Sequence, residues 1–403
     1  MSVDEERARQ SEDAVRITVT GVDRPGITAE LSSILAEAHA VLLDVQQVVV
    51  GTQLNLSLLV SIPAPARPVL KETLWKAREL GLMVDFDLAP TFELAPPQPT
   101  WALTVLANPI STELLAAIAR ATQQAGFNIE HIQRLSHQTL ASIEFLLSGQ
   151  TGECEKNLRA NLVGLRTRYQ CDLALQREKL TRRNKRLIVM DMDSTLIQQE
   201  VIDELAVTLG VQQQVSAITE RAMNGELDFD QSLRERVRLL KGTPVSALSD
   251  VLARIELTPG AADLVRVLRR LGYRTAVISG GFIEVVEPIR QQLGLDYAFA
   301  NTLEARDGVL TGEVVGTIIN RQRKADLLEQ IAKTERIELD QVIAVGDGAN
   351  DLDMLARAGL GIAFNAKRTV QERAAAAINQ TSLLSILYLL GMRDVDTSAI
   401  EDA

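Results

Sequence analysis

From about residue 184 the sequence alternates short, strongly apolar runs with stretches of helical period, and this rhythm leaves few folds open. The runs RLIVM, TAVIS and QVIAVG have the composition of strands covered on both faces. Their alternation with helices predicts a parallel sheet with crossover connections. In such a sheet the functional groups gather just beyond the carboxyl ends of the strands.

Those ends carry the most chemically loaded residues of the chain. RLIVM runs directly into Asp191-Met192-Asp193-Ser194-Thr195. In extended backbone with a side-chain period of two, Asp191 and Asp193 point the same way, and two carboxylates so placed need a cation or a proton between them. TAVIS ends in Ser279-Gly280-Gly281, where a hydroxyl and closely approaching backbone amides can hold phosphate oxygens at a helix start. Lys324 stands near the start of the helical stretch RQRKADLLEQ, and QVIAV ends in Gly346-Asp347-Gly348-Ala349-Asn350-Asp351. Any one of these fits an ordinary turn, cap or solvated charge. Four in order at strand ends or helix starts of one sheet point to a site.

Composition narrows the chemistry. The three histidines (His39, His131, His137) and both cysteines (Cys154, Cys171) precede residue 172. A phosphohistidine or cysteinyl-phosphate route is thereby excluded within the C-terminal half, and of the common covalent routes carboxylate attack is left. The 403 residues suit two or three domains, and 46% apolar with 24% charged residues is the balance of a folded chain. A net charge of -11 and only 3% aromatics argue against broad nucleic-acid binding. No stretch approaches the roughly 20 apolar residues of a membrane span. The polar N-terminus MSVDEERARQSED is unlike a secretory leader, so a cytoplasmic protein without membrane partners is expected. The two cysteines lack CxxC spacing and read as packing residues.

The first 178 residues hold two copies of one plan, offset by about 85 positions. VRITVTGVD, RPGITAELSSILAEAH, VLLDVQQVVV, LNLSLLVSI, RPVLKETLWKAREL and MVDFDLA are matched by WALTVLA, ISTELLAAIARATQQAG, FNIEHIQRLS, LASIEFLLS, ECEKNLRANLVGLRTRY and CDLALQ. Each reads as βαββαβ, a small open sheet with helices on one face. The Pro-rich ELAPPQPT at 93–100 and the charged QREKLTRRNKR at 176–186 read as linkers, the second as a solvated hinge rather than a nucleic-acid patch. The divisions are thus a polar tail at 1–13, repeats at 14–92 and 100–178, and a third domain at 184–395.

The repeats resemble the ACT domain, an amino-acid-binding regulatory module of ferredoxin-like fold, through this pattern and the loop Gly21-Val22-Asp23-Arg24-Pro25-Gly26. The four strand-end motifs resemble the haloacid dehalogenase superfamily, in its phosphoserine phosphatase branch, over 184–390. That resemblance implies Asp191 as nucleophile, Asp193 as general acid and base, and Ser279, Gly280 and Lys324 as phosphate clamps. It further implies Mg2+ held by the Asp191 carboxylate, the Asp193 main-chain carbonyl and Asp347, with Asn350 on the substrate side and Asp351 in support.

The helical insertion at about 198–257 reads as a cap that excludes water. Within it the resemblance marks Glu200 for a substrate ammonium, Arg236 for a carboxylate, and Met223 and Phe229 as an apolar wall. The implied substrate is O-phospho-L-serine, hydrolysed in the last step of L-serine biosynthesis, with L-serine as product and effector. Asp23 and Gly26 are the candidate effector contacts, since the amides of Asp23 to Gly26 open a helix. In the second copy Asn108-Pro109-Ile110-Ser111 replaces that loop and lacks the glycine. A homodimer or higher oligomer is expected. The alternatives are a phosphatase or phosphotransferase for another small phosphate monoester, and an amino-acid-sensing binding protein.

Overall fold

Strict alternation in Ala14–Val22 (β1) sends Val15, Ile17 and Val19 to one face, and Leu54, Leu56, Leu58 and Val60 of Gln53–Ser61 (β3) join them there. The computed structural model describes residues 14–89, 98–136, 141–223 and 226–394. The tail at 1–13, most of the Pro-rich stretch, His137, the Met223 side chain and residue 395 lie outside the described residues.

The chain divides into two units, 1–97 and 98–403. In the first, β1 and β3 with Val41–Val50 (β2) and Met83–Ala89 (β4) form an antiparallel sheet in the order β2-β3-β1-β4. The helices Ile27–Glu37 and Ala66–Glu79 supply Leu31, Leu35 and Ala77 to the same core. Gly26, at φ +99, precedes the first helix in a backbone conformation that favours glycine.

The second unit begins with the same plan. Thr100–Leu106 (β5), Asn128–Arg134 (β6), Ser142–Ser148 (β7) and Asp172–Arg177 (β8) form a sheet in the order β6-β7-β5-β8. Trp101, Leu103, Val105, Phe145 and Leu175 face its helices, Thr112–Gln124 and Glu153–Tyr169. The opposite face is also covered. There Leu106 and Ala174 belong to the same apolar core as Ile378, Leu389 and Leu390, so the second repeat is packed into the domain that follows it.

The charged stretch 176–186 is therefore not a solvated hinge. Its first residues complete β8, and Leu180–Arg183 forms a short helix. Arg182, 2% exposed, is paired with Glu144 and Glu178, while buried Lys185 donates to the carbonyl of Asp340. Partners 38 and 155 residues away turn charges that look solvated into anchored ones.

The third domain is a seven-stranded sheet in the order β12-β11-β10-β9-β13-β14-β15, comprising Leu187–Met190 (β9), Arg274–Phe282 (β10), Tyr297–Arg306 (β11), Val309–Val315 (β12), Val342–Gly346 (β13), Leu360–Phe364 (β14) and Ala376–Ile378 (β15). All neighbours are parallel except β11 and β12. Strand β9 is central and wholly buried; the chain goes from it to β10 on one side and later to β13 on the other. Such a reversal opens a crevice at the strand's carboxyl end. Over it stand the four helices of the insertion, Val201–Leu209, Gln212–Met223, Phe229–Arg238 and Ser246–Leu252. The insertion's stem is closed by the bridge Ile197↔Leu257.

Candidate active site

Asp191 follows β9 without a break: its N–H donates to the Val345 carbonyl at 2.9 Å, extending the pairing with β13. Asp191 is 4% exposed, and its carboxylate lies 2.8 Å from Lys324 Nζ, which also donates to Asp351 Oδ1 at 2.7 Å. Lys324 reaches this place from the first turns of the helix Arg321–Thr334, whose start is capped by the Asn320 side chain. Asp351 Oδ2 accepts from the Gly348 N–H at 3.0 Å, and Asp347 Oδ1 accepts from Thr195 Oγ1 at 3.3 Å. Carboxylate oxygens of Asp191, Asp347 and Asp351 lie within 4.8 Å of one another.

One lysine does not balance three carboxylates, and the protonation equilibria reflect this. Burial, then the charge of Asp351, raises the Asp191 pKa well above the ordinary range, with Lys324 opposing. Burial and Asp351 push Asp347 up to about 6. Lys324 is fully buried, which alone would lower its pKa, yet Asp191 and Asp351 hold it above the usual lysine value. An all-oxygen set short of positive charge suits a small hard cation, which takes few protein ligands. The residues thus fit Mg2+, and Asp351 stands beside Asp191 and Asp347 in the cluster.

Asp193 turns away from this trio. Its Oδ1 accepts from the Val201 N–H at 2.9 Å and its Oδ2 from Ser279 Oγ at 3.2 Å; burial raises its pKa while the Val201 amide opposes. Ser279 Oγ in turn accepts from the Gly281 N–H at 2.8 Å. The glycines sit where space is tight. A Cβ on Gly280 would come within 3.0 Å of the Phe229 ring, and one on Gly281 within 3.0 Å of Asp193 Oδ2.

A cavity of about 810 Å³ opens over these groups. Of the residues singled out in the sequence, Asp191, Asp193, Asp347, Glu200, Phe229, Arg236, Gly280 and Asn350 line it. Ser279, Lys324 and Asp351 are fully buried behind that lining, where they orient Asp193 and Asp191. Partial withdrawal from water, then the charge of Asp193, pushes Glu200 up to about 7, and its Oε1 accepts from Ser194 Oγ at 2.8 Å. Arg236 is half-buried; burial lowers its pKa, and Asp203, Glu200 and Asp193 oppose that. Asp203, Arg321, Lys367 and Thr369 also line the cavity and carried no motif in the sequence. Asp203 was still legible in principle, since it stands one helical turn from Glu200 at the start of the helix Val201–Leu209.

Asp23 and Gly26 lie in the first unit, on the loop between β1 and the helix Ile27–Glu37. Asp23 N–H donates to the Thr52 carbonyl at 2.8 Å, and among the described residues no side chain caps that helix. The equivalent helix of the second repeat is capped internally, by Ser111 Oγ accepting from the Leu114 N–H at 3.2 Å.

A central parallel sheet with an aspartate-rich crevice beneath a helical cap, preceded by two ferredoxin-like repeats, defines a hydrolase of the haloacid dehalogenase type with two ACT domains. The family models agree: haloacid dehalogenase-like hydrolase matches residues 185–359, and ACT domain models match 14–87 and 99–176. Phosphoserine phosphatase SerB2 of Mycobacterium tuberculosis is 42% identical over 94% of this chain and 93% of its own length. Phosphoserine phosphatase of Streptomyces coelicolor is 43% identical over 96% and 94%. A haloacid dehalogenase family hydrolase from Salmonella enterica serovar Typhi superposes with a TM-score of 0.61 at 32% identity, covering 72% of this chain and 98% of its own. The chain belongs to the same family as these phosphoserine phosphatases. Among the described residues no helix is long and apolar enough to cross a membrane.

Proposed function

We propose that the chain hydrolyses O-phospho-L-serine to L-serine and phosphate through an aspartyl-phosphate on Asp191. The observation that carries this reading is the division of labour between two carboxyl groups at one strand end. Asp191 is held by Lys324, while Asp193 is held by a separate set of hydrogen bonds, from the Val201 N–H and Ser279 Oγ. A carboxylate O of Asp191 attacks phosphorus, and the bond from phosphorus to the serine oxygen breaks as Asp193 gives its proton to that oxygen. In the second half Asp193, now ionised, takes a proton from the water that attacks the aspartyl-phosphate, which restores both carboxyl groups and releases phosphate. Lys324 limits the negative charge around the transferring group. Mg2+ bound by Asp191, Asp347 and the Asp193 main-chain carbonyl, with Asp351 beside them, would supply positive charge that lets an anionic nucleophile approach an anionic phosphate.

The substrate class follows from the cavity wall opposite. Glu200 and Arg236 offer one negative and one positive group, matching the ammonium and carboxylate of a free amino acid, and Phe229 supplies apolar surface. The names of the relatives point the same way. L-serine is the proposed effector of the first ACT domain, where the uncapped helix start next to Asp23 and Gly26 leaves amides for a carboxylate. Release of phosphate from O-phospho-L-serine, with and without Mg2+, tests the function directly. Magnesium-dependent turnover is expected; no turnover of phosphoserine alongside turnover of other small monoesters overturns the substrate assignment.

A further inference from the structure

One wall of the cavity is formed by Lys367, Thr369 and Val370, on the segment linking β14 to β15. This segment is held from outside the catalytic domain. Arg166, at the end of the second ACT domain's helix Glu153–Tyr169, donates from Nη2 to Gln371 Oε1 at 2.9 Å. Gln371 Nε2 donates to the carbonyl of Ala366 at 2.6 Å and to Asn379 Oδ1 at 2.7 Å. Asn379 in turn donates its backbone N–H and its Nδ2 to the two carboxylate oxygens of Asp172, at 2.8 and 2.7 Å, and Gln380 Nε2 adds a third contact at 2.9 Å. Asp172 is the first residue of β8 and only 3% exposed. Its carboxylate is therefore committed to this strap rather than to solvent.

The strap matters because of what the wall carries. Asp191, Asp193, Glu200, Asp203 and Asp347 make the cavity lining strongly acidic. Of the lining cations, Arg321 is paired with Asp353, and Arg236 faces Asp203 and Glu200. Lys367 is exposed and has no ion pair among the described residues. An anionic substrate entering the cavity would meet this ammonium, which is carried on the turn that Gln371 ties back to Ala366.

We infer that Asp172 and Arg166 of the second ACT domain are positioning residues for the active-site wall Ala366–Val370, and act on substrate binding through Lys367. This module is then part of the frame of the catalytic cavity, and displacement of β8 or of its helix moves the wall. The inference rests on the phosphatase reading of the site, and one set of measurements on the full-length protein separates the two.

KM and kcat for O-phospho-L-serine are measured for the wild type, Asp172→Ala, Lys367→Ala and the double variant, with thermal midpoints recorded alongside. A wild type without phosphoserine turnover removes the functional reading itself. With an active wild type, Asp172→Ala and Lys367→Ala are each expected to raise KM about three- to tenfold, the worth of one partly solvated charge contact, with kcat within about twofold. The double variant is expected to match Lys367→Ala within about twofold, because a residue acting through Lys367 has nothing left to act on once that ammonium is gone. A purely structural role for Asp172 would instead give KM effects that multiply, whatever the change in thermal midpoint. Multiplying effects, or a silent variant at either position, overturn the inference. Should Asp172→Ala not yield folded protein, Arg166→Met replaces it in the same cycle, with the same expected and overturning results.

Discussion

Removal of the Arg236 guanidinium is the sharpest test of the proposed substrate, because its cost can be worked out from its surroundings. Among the described residues the side chain makes one hydrogen bond, a 3.4 Å contact from Nε to the Ser232 carbonyl. Its outer nitrogens are free to receive a carboxylate in the two-pronged geometry that guanidinium favours. Two charge-assisted hydrogen bonds are each worth about 1.5–3 kcal/mol, and the existing attraction of Arg236 to Asp203 and Glu200 offsets part of that. A net loss of about 3 kcal/mol corresponds to roughly 100-fold in kcat/KM. The assay compares Arg236→Ala with wild type on O-phospho-L-serine and on O-phosphoethanolamine, which keeps the ammonium and phosphate but has no carboxylate. About 100-fold loss is expected on the first and less than about fivefold on the second. Equal losses on both would refute the reasoning and assign Arg236 to phosphate binding or to the integrity of the cap.

Asp191→Asn is expected to remain folded and lose essentially all turnover, and the wild type to form an acid-stable, hydroxylamine-labile phosphoenzyme; substantial activity in the variant would remove Asp191 as nucleophile. Chelation is expected to abolish activity and magnesium to restore it, whereas calcium, with its larger and looser shell, inhibits; full activity after thorough chelation contradicts the metal assignment. The raised pKa of Asp347, about 6 against an ordinary 3.8, has a definite sign: its stabilising contribution is complete below about pH 4 and is lost as pH rises through 6. The gap in thermal midpoint between magnesium-loaded and chelated protein should therefore widen from pH 5 to 7.5, and a constant gap rules this linkage out. In titration calorimetry of the full chain, L-serine is expected to show a binding event that Gly26→Val abolishes, since valine strains a backbone at φ +99; identical isotherms leave the first ACT domain without that ligand.

The candidate site was legible because its charged residues sit at the ends of apolar strands, where composition and position coincide. Asp191, Asp193 and Asp347 each follow a run whose burial is evident from sequence alone. The repeats were legible for a related reason: alternation in β1 and β5 is local, and so is the 3.6-residue period of the helices between strands. What escaped depends on distant partners. The strands β14 and β15 are five and three residues long, and β15 consists of Ala376, Ala377 and Ile378, which carry no strand signal of their own. Arg182 and Lys185 sit in a run of charges that looks solvated until Glu144 and Asp340 are brought beside them. Lys367 and Thr369 reach the cavity only because the segment after β14 folds back over the strand ends, which no pattern around them announces.

The covered outer face of the second ACT sheet also has a bearing on how the chain is made. Asp172 and its partner Asn379 are 207 residues apart, so at about 5–20 residues per second a ribosome needs roughly ten to forty seconds to deliver one after the other. During that interval Glu144 already has Arg182, only 38 residues downstream, to neutralise it. Leu106 and Ala174 share their core with residues made soon after them, such as Ile188 and Met190, but also with Ile378, Leu389 and Leu390, which are synthesised near the end. The second ACT domain thus emerges with Glu144 neutralised but with Asp172 and part of its outer apolar face still waiting for the last strand of the seven-stranded sheet.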